Sequence, residues 1–156
     1  PLADLVEISS PLSGQVKELS QATDPVFAQG VMGQGVLIEP SQGDLLAPVD
    51  GVVSVLFPTK HAVGIVSDQG VEMLMHIGMD TVNLEGKGFT AHVSQGDRVK
   101  AGDKLISFDI DLIKDAGYVT ETPVIITNQD QYQADALGSL PRQIAVGDAL
   151  MTATKI

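Results

Sequence analysis

Turn-forming residues limit most tightly what this chain can fold into. Sixteen glycines and eight prolines are spread along 156 residues and seldom leave room for a long helix. Proline removes a backbone donor and fixes φ, and glycine favours tight turns, so the Val- and Ile-rich segments between them read as many short strands. The candidates are Leu5–Ile8, Gln15–Leu19, Val36–Glu39, Asp44–Leu46, Val52–Phe57, His61–Ser67, Val71–Ile77, Phe89–Val93, Lys104–Asp109, Val124–Thr127 and Ala149–Thr154. Only Ile110–Ala116 has helical spacing, with Leu112, Ile113 and Ala116 on one side and Gly117 as a stop. The stretches Gln21–Gly35 and Gln129–Pro141 read as long loops packed on the sheets.

The punctuation repeats. Pro11-Leu12-Ser13-Gly14-Gln15-Val16 and Pro48-Val49-Asp50-Gly51-Val52-Val53 share Pro-x-x-Gly ahead of a valine, and Gly102-Asp103-Lys104-Leu105 is echoed by Gly147-Asp148-Ala149-Leu150. Two such pairs, each a turn leading into a strand, predict an all-β antiparallel sandwich or squashed barrel with an internal pseudo-two-fold repeat and at most one short helix. No linker interrupts residues 1–156, which read as a single domain.

Composition narrows the function. With 44% hydrophobic residues, a chain of this length can remove roughly two thirds of its unfolded surface from water. Nine Lys and Arg against twenty Asp and Glu leave a formal charge of −11, which excludes nucleic acid and anionic membrane as broad partners. There is no cysteine, so disulfides, thiolate nucleophiles and Cys-based zinc sites are excluded, in keeping with a reducing cytosol. No apolar run approaches the ~20 residues of a membrane helix, and the first residues do not read as a signal peptide. The chain begins at Pro1, as a processed protein or a domain excised from a larger one would.

Three histidines remain as chemistry: His61, His76 and His92. Two of them flank a hairpin centred on Asp68-Gln69-Gly70, and its register decides whether they meet. A two-residue Gln69-Gly70 turn puts His61 diagonal to His76 on one face, within imidazole reach. A three-residue loop with Gly70 left-handed puts them on opposite faces, unless a bulge at Val63-Gly64 restores the meeting. The turn at Gly78 and Asp80 would direct backbone N–H groups at an anion near His76. His92 alternates outward with Thr90 while Phe89, Ala91 and Val93 point inward, as a surface histidine does.

Other motifs carry little. Gly30-Val31-Met32-Gly33-Gln34-Gly35 fits neither a dinucleotide fingerprint nor a P-loop. Asp109, Asp111 and Asp115 suit the ends of the short helix and lack the Gly and closing Glu of a calcium loop. No Gly-x-Ser-x-Gly elbow is present.

The segment Phe57-Pro58-Thr59-Lys60-His61-Ala62-Val63-Gly64-Ile65, with Gly70-Val71-Glu72-Met73-Leu74-Met75-His76-Ile77-Gly78-Met79-Asp80-Thr81-Val82, resembles the glucose-family enzyme IIA of the bacterial sugar phosphotransferase system. The likeness continues in Glu85-Gly86-Lys87-Gly88-Phe89, in Val26-Phe27-Ala28 before Met32-Gly33-Gln34-Gly35, and in Thr122-Pro123-Val124-Ile125-Ile126-Thr127-Asn128. It spans Ser9 to Leu150, with departures at Gln34 and across Gln129–Gln143.

That resemblance implies a phosphohistidine carrier that accepts phosphate from the histidine-containing phosphocarrier protein and passes it to a sugar-specific IIB domain, acting on the membrane permease IIC only indirectly. It implies His76 as the phosphorylated nucleophile, His61 as its phosphate-stabilising neighbour, Thr59 as the hydroxyl orienting His61, and Asp80 either as a like charge keeping the phosphoryl group transferable or as a cap of its turn. It implies a docking surface of Val26, Phe27, Phe57, Val63 and Leu74, with Phe27 and Phe57 exposed and Asp24 beside Asp80 on an acidic rim. No cofactor is implied, and zinc would bind between His61 and His76 only when a partner completes its shell. The expected location is cytoplasmic, as a free-standing IIA, as the cytosolic domain of a membrane-bound permease, or as a regulatory IIA-like domain of another transporter. A zinc metallopeptidase on a similar fold would want a His-x-His pair, which is missing, and a biotinyl or lipoyl carrier would want Lys at a hairpin tip.

Overall fold

The computed structural model describes residues 5–156. Its strands in chain order are β1 (Leu5–Ser9), β2 (Gly14–Glu18), β3 (Gln34–Pro40), β4 (Asp44–Leu46), β5 (Gly51–Leu56), β6 (Ala62–Ser67), β7 (Glu72–His76), β8 (Phe89–Ala91), β9 (Arg98–Val99), β10 (Lys104–Phe108), β11 (Thr122–Ile126), β12 (Tyr132–Ala136), β13 (Arg142–Ile144) and β14 (Ala149–Lys155). An eight-stranded sheet runs β13-β2-β3-β11-β7-β6-β5-β9, and two three-stranded sheets run β1-β14-β12 and β4-β10-β8. The paired strands are antiparallel throughout.

The strand orders are the physical form of the sequence repeat. Reading the large sheet inward from its two edges matches β13 with β9, β2 with β5, β3 with β6 and β11 with β7, while the two small sheets match each other strand for strand. Gly14 and Gly51 open β2 and β5 at equivalent places, and in each a Cβ would run into the carbonyl of the neighbouring strand, at Glu39 in one copy and Val66 in the other. The Pro-x-x-Gly spacing therefore marks two close approaches of backbone to backbone that only glycine permits.

Alternation along the large sheet gives it two apolar faces. Val36, Ile38, Val63, Ile65, Met73, Met75, Val124 and Ile126 point inward to the main core shared with the small sheets. Leu37, Ile125 and Leu74 point outward, where Leu19, Ala22, Phe27 and Met79 cover them in a second, smaller cluster.

That second cluster explains one departure from expectation. The stretch 21–35 is not all loop: helix α1 (Pro25–Ala28) lies within it, capped by Asp24, whose Oδ1 accepts the Val26 N–H at 2.9 Å. Four residues are too few to show helical periodicity, so only the Asp-Pro start could have signalled it. A second helix, α2 (Ile110–Asp115), is where the sequence places it, with Asp109 as its cap. Among the described residues the fold thus has two short helices, besides 3₁₀ turns at Leu19–Gln21 and Thr81–Leu84.

The stretch 129–141 also departs from a loop. It contains β12, which pairs residue for residue with β14, and β13 follows at Arg142. β12 buries Tyr132 but leaves Gln133, Asp135 and Ala136 exposed, so it lacks the apolar alternation by which a strand announces itself.

Candidate functional site

The site sits on the outward face of the large sheet, where its cover of apolar side chains ends. His76 closes β7 and shares that face with Leu74. The β6–β7 ladder pairs Ala62 with His76 and Val63 with Met75, so the connecting loop has three residues, with Gly70 left-handed at φ 104°. This is the register in which regular pairing would set the two histidines on opposite faces, and the ladder contains no bulge at Val63-Gly64.

They meet nonetheless, because His61 precedes the strand. The turn from Phe57 closes with Lys60 N–H on the Phe57 carbonyl at 2.8 Å, and Lys60 adopts left-handed backbone at φ 62°. His61 emerges with its carbonyl still accepting the Ile77 N–H at 2.7 Å, but outside the strand geometry that would aim its ring inward. The imidazole centroids of His61 and His76 lie 4.8 Å apart, edge to face at 83°.

Each ring is held at Nδ1. The Thr59 hydroxyl lies 2.7 Å from Nδ1 of His61. The Gly78 carbonyl lies 2.7 Å from Nδ1 of His76, and since a carbonyl only accepts, Nδ1 carries the proton and Nε2 of the neutral ring keeps its lone pair. Gly78 is left-handed at φ 73°, and a Cβ there would come within 2.6 Å of the Thr81 methyl and 2.7 Å of the Val119 carbonyl. The turn holding His76 therefore engages it through a carbonyl, where the sequence suggested N–H groups. Its Met79 N–H is directed at the Val119 carbonyl at 3.4 Å.

Burial keeps both rings neutral near pH 7. His61 is 2% exposed, and burial, with the neighbouring His76 charge second, lowers its pKa to about 4. His76 is half-buried and its pKa is also lowered, chiefly by burial; the Gly78 hydrogen bond and the Asp24 and Asp80 carboxylates pull in the opposite direction. Asp80 is exposed and makes no side-chain cap to the 3₁₀ turn it precedes, so the capping role is not what the structure shows.

Two phenylalanines flank the pair. Phe27 on α1 stands 5.2 Å from His76, and Phe57 stands edge-on 5.3 Å from His61. Phe57 is half-buried, whereas Phe27 is 6% exposed and belongs to the outer cluster, against the expectation that both are free surface. Its side chain covers Leu37 and Ile125, leaving Pro25 and Val26 as the exposed residues of α1, Val26 at 46%. Val63 is fully buried opposite Met75 on the inner face, so it is core and not docking surface. Leu74 is half-buried against the outer cluster. His92 is exposed, with Nε2 2.7 Å from the Ser107 hydroxyl of the small sheet.

No sequence signal marks the Gly78 carbonyl, nor Val82 and Val119, which stand exposed at 48% and 44% in the turn after His76 and on the segment packed beside it. Both lie outside strands, where periodicity has nothing to report.

The chain matches the family model described as phosphoenolpyruvate-dependent sugar phosphotransferase system, EIIA 1, over residues 6–132. It is 58% identical over 125 residues to the PTS system beta-glucoside-specific EIIBCA component of Bacillus subtilis (strain 168), covering 80% of this chain and 20% of that one. It is 54% identical over 123 residues to the PTS system glucose-specific EIIA component of Bacillus cereus, covering 79% of this chain and 74% of that one. The chain thus spans about one fifth of the length of the beta-glucoside-specific relatives. The solved structure of glucose permease IIA from Mycoplasma capricolum superimposes with a TM-score of 0.86 at 36% identity, covering 95% of both chains. The match across residues 6–132, which takes in both histidines and all their neighbours described above, places this chain in the EIIA 1 family of the phosphoenolpyruvate-dependent sugar phosphotransferase system.

Proposed function

We propose that the chain is a phosphohistidine carrier in which Nε2 of His76 accepts a phosphoryl group from the histidine-containing phosphocarrier protein and passes it to a IIB domain during sugar uptake. The observation that carries this is the Nδ1 contact of His76 with the Gly78 carbonyl, which leaves a neutral nucleophile at Nε2 beside a second neutral imidazole. The bond from phosphorus to the donor's nitrogen breaks as the bond to Nε2 forms, while the proton stays on Nδ1, hydrogen-bonded to the Gly78 carbonyl. Such transfer is mostly positioning and charge stabilisation.

His61 serves the charged product. With the Thr59 hydroxyl donating to Nδ1, its Nε2 carries a proton and can donate to the phosphoryl oxygens. The phosphate brings up to about two negative charges, which Asp24 and Asp80 oppose, so the group stays labile toward the next acceptor. Val26, Phe57 and Leu74, with the edge of Phe27, offer the apolar surface for partners, and Asp24 and Asp80 its acidic rim. No cofactor is needed. His61 and His76 would supply two of the four ligands zinc usually takes, and among the described residues no group of three or more His, Cys, Asp or Glu is placed to hold a metal, so a partner would have to complete the shell. The beta-glucoside-specific relatives carry B and C components in the same chain, which favours a IIB domain and a membrane permease as the downstream partners. No helix among the described residues is long and apolar enough to cross a membrane. The carrier role, served by a phosphocarrier protein and a IIB domain, implies a cytoplasmic setting.

The test is intact mass after incubation with phosphoenolpyruvate, enzyme I and the phosphocarrier protein. One acid-labile phosphate is expected on the parent and none on His76→Gln; full modification of His76→Gln would reject the assignment.

A further inference from the structure

Beside the site lies a buried carboxylate that the chemistry above does not use. Glu121 is 7% exposed, the sole buried carboxylate among the described residues, and it stands at the head of β11 between buried Thr120 and Thr122. Its Oε1 accepts the backbone N–H of Thr23 at 2.7 Å, across 98 residues of sequence. Among the described residues no cation pairs with it. Burying an uncompensated carboxylate costs stability that an apolar side chain of the same size would not, so its presence asks for another account.

The geometry points to Glu121 as a positioning residue for His76: by gripping Thr23 it fixes α1 at the height where Phe27 lies tilted against the His76 ring and Asp24 stands beside it. Two carboxylates pin the start of this helix in succession, Glu121 at the Thr23 N–H and Asp24 at the Val26 N–H. A four-residue helix cannot sustain itself, and α1 is held at its start by this grip, beneath by the packing of the outer cluster, and just past its end by Gln129 donating to the Gly30 carbonyl. What it delivers is a ring 5.2 Å from the nucleophile. The charges acting on His76 are those of Asp24 and Asp80, so Glu121 reaches the imidazole through the segment it holds and not through its own field.

The inference rests on the carrier reading only for its kinetic arm, and two variants separate positioning from folding. Glu121→Leu removes the acceptor while filling its space, and Glu121→Gln removes the charge while keeping an oxygen for the Thr23 N–H. In Glu121→Leu the ring-current shift of Phe27 on the His76 ring protons should shrink, and the His76 titration midpoint should rise toward its ordinary value as water reaches the ring. The Michaelis constant for the phosphorylated donor should rise roughly three- to tenfold. Glu121→Gln should stay within about twofold of the parent. Unchanged His76 shifts in Glu121→Leu would overturn the inference, as would equal defects in both variants, since the charge and not the grip would then matter. If the parent itself takes no phosphate, the carrier reading fails, while the ring shifts still decide the role of Glu121.

Discussion

The two halves of the large sheet are built alike, and only one carries the histidines. Gly14 pairs with Pro40 in one half as Gly51 pairs with Ser67 in the other, so six residues back along β3 and β6, Gln34 corresponds to His61. One step on, Gly35 faces Ile125 as Ala62 faces His76, which makes Ile125 the counterpart of His76. Both counterparts sit on the outward face, but Ile125 is fully buried beneath Leu19, Ala22 and Phe27, while His76 lies half-buried where that cover stops. The duplicated scaffold supplies a strand end; what converts it into a site is an imidazole, a carbonyl to orient it and the edge of an apolar roof.

Phe27 belongs to both halves, covering Ile125 and lying tilted against His76, whereas Phe57 touches the histidine side. Phe27→Ala should therefore cost roughly 3–5 kcal/mol of stability, as emptying a packed site does. Phe57→Ala should leave the denaturation midpoint nearly unchanged and weaken partner binding about tenfold. Chemical denaturation and titration of each variant with the phosphocarrier protein check the split. Equal loss of stability in both would erase the distinction between roof and docking surface.

The two histidines differ in role as well. His61→Gln should still accept phosphate, because Nε2 of His76 is untouched, while onward transfer to IIB slows ~10²–10³-fold for want of a positioned donor. Single-turnover rates for the two half-reactions decide it, and equal loss in both would make His61 a structural residue.

Much of this was legible beforehand because it rests on residues with few alternatives. The Pro-x-x-Gly pairs reported the duplication, since a backbone carbonyl occupies the space of a Cβ at Gly14 and Gly51. The hairpin was harder. Sequence spacing leaves two registers open, and in the one adopted regular pairing separates the histidines; the left-handed Lys60 that turns His61 back toward His76 has no sequence signature. The burial of Phe27, and the choice between core and surface at Val63, are hidden for a related reason: this sheet has apolar cover on both faces, so alternation does not distinguish inside from outside. Edge strand β12 and helix α1 were too polar or too short to show a period.

Burial of the pair predicts a pH signature that its apolar counterpart cannot have. His61 titrates near 6.5 when unfolded and at about 4 when folded, so the unfolded chain binds more protons between those values. Its contribution, on the order of 3 kcal/mol, is present above pH 6.5 and is lost as the pH falls toward 4. Denaturation across this window should show a slope that flattens in His61→Gln, which has nothing to protonate. Parallel profiles for parent and variant would mean that the buried ring does not titrate there.

The central claim is chemical: Gly78 holds the Nδ1 proton of His76, and phosphate goes to Nε2. Long-range proton–nitrogen correlation spectra of the phosphorylated, nitrogen-15-labelled protein read this directly. The account predicts phosphorus coupling at Nε2 of His76 with Nδ1 protonated; phosphorus on Nδ1, or on His61 or His92, would contradict it.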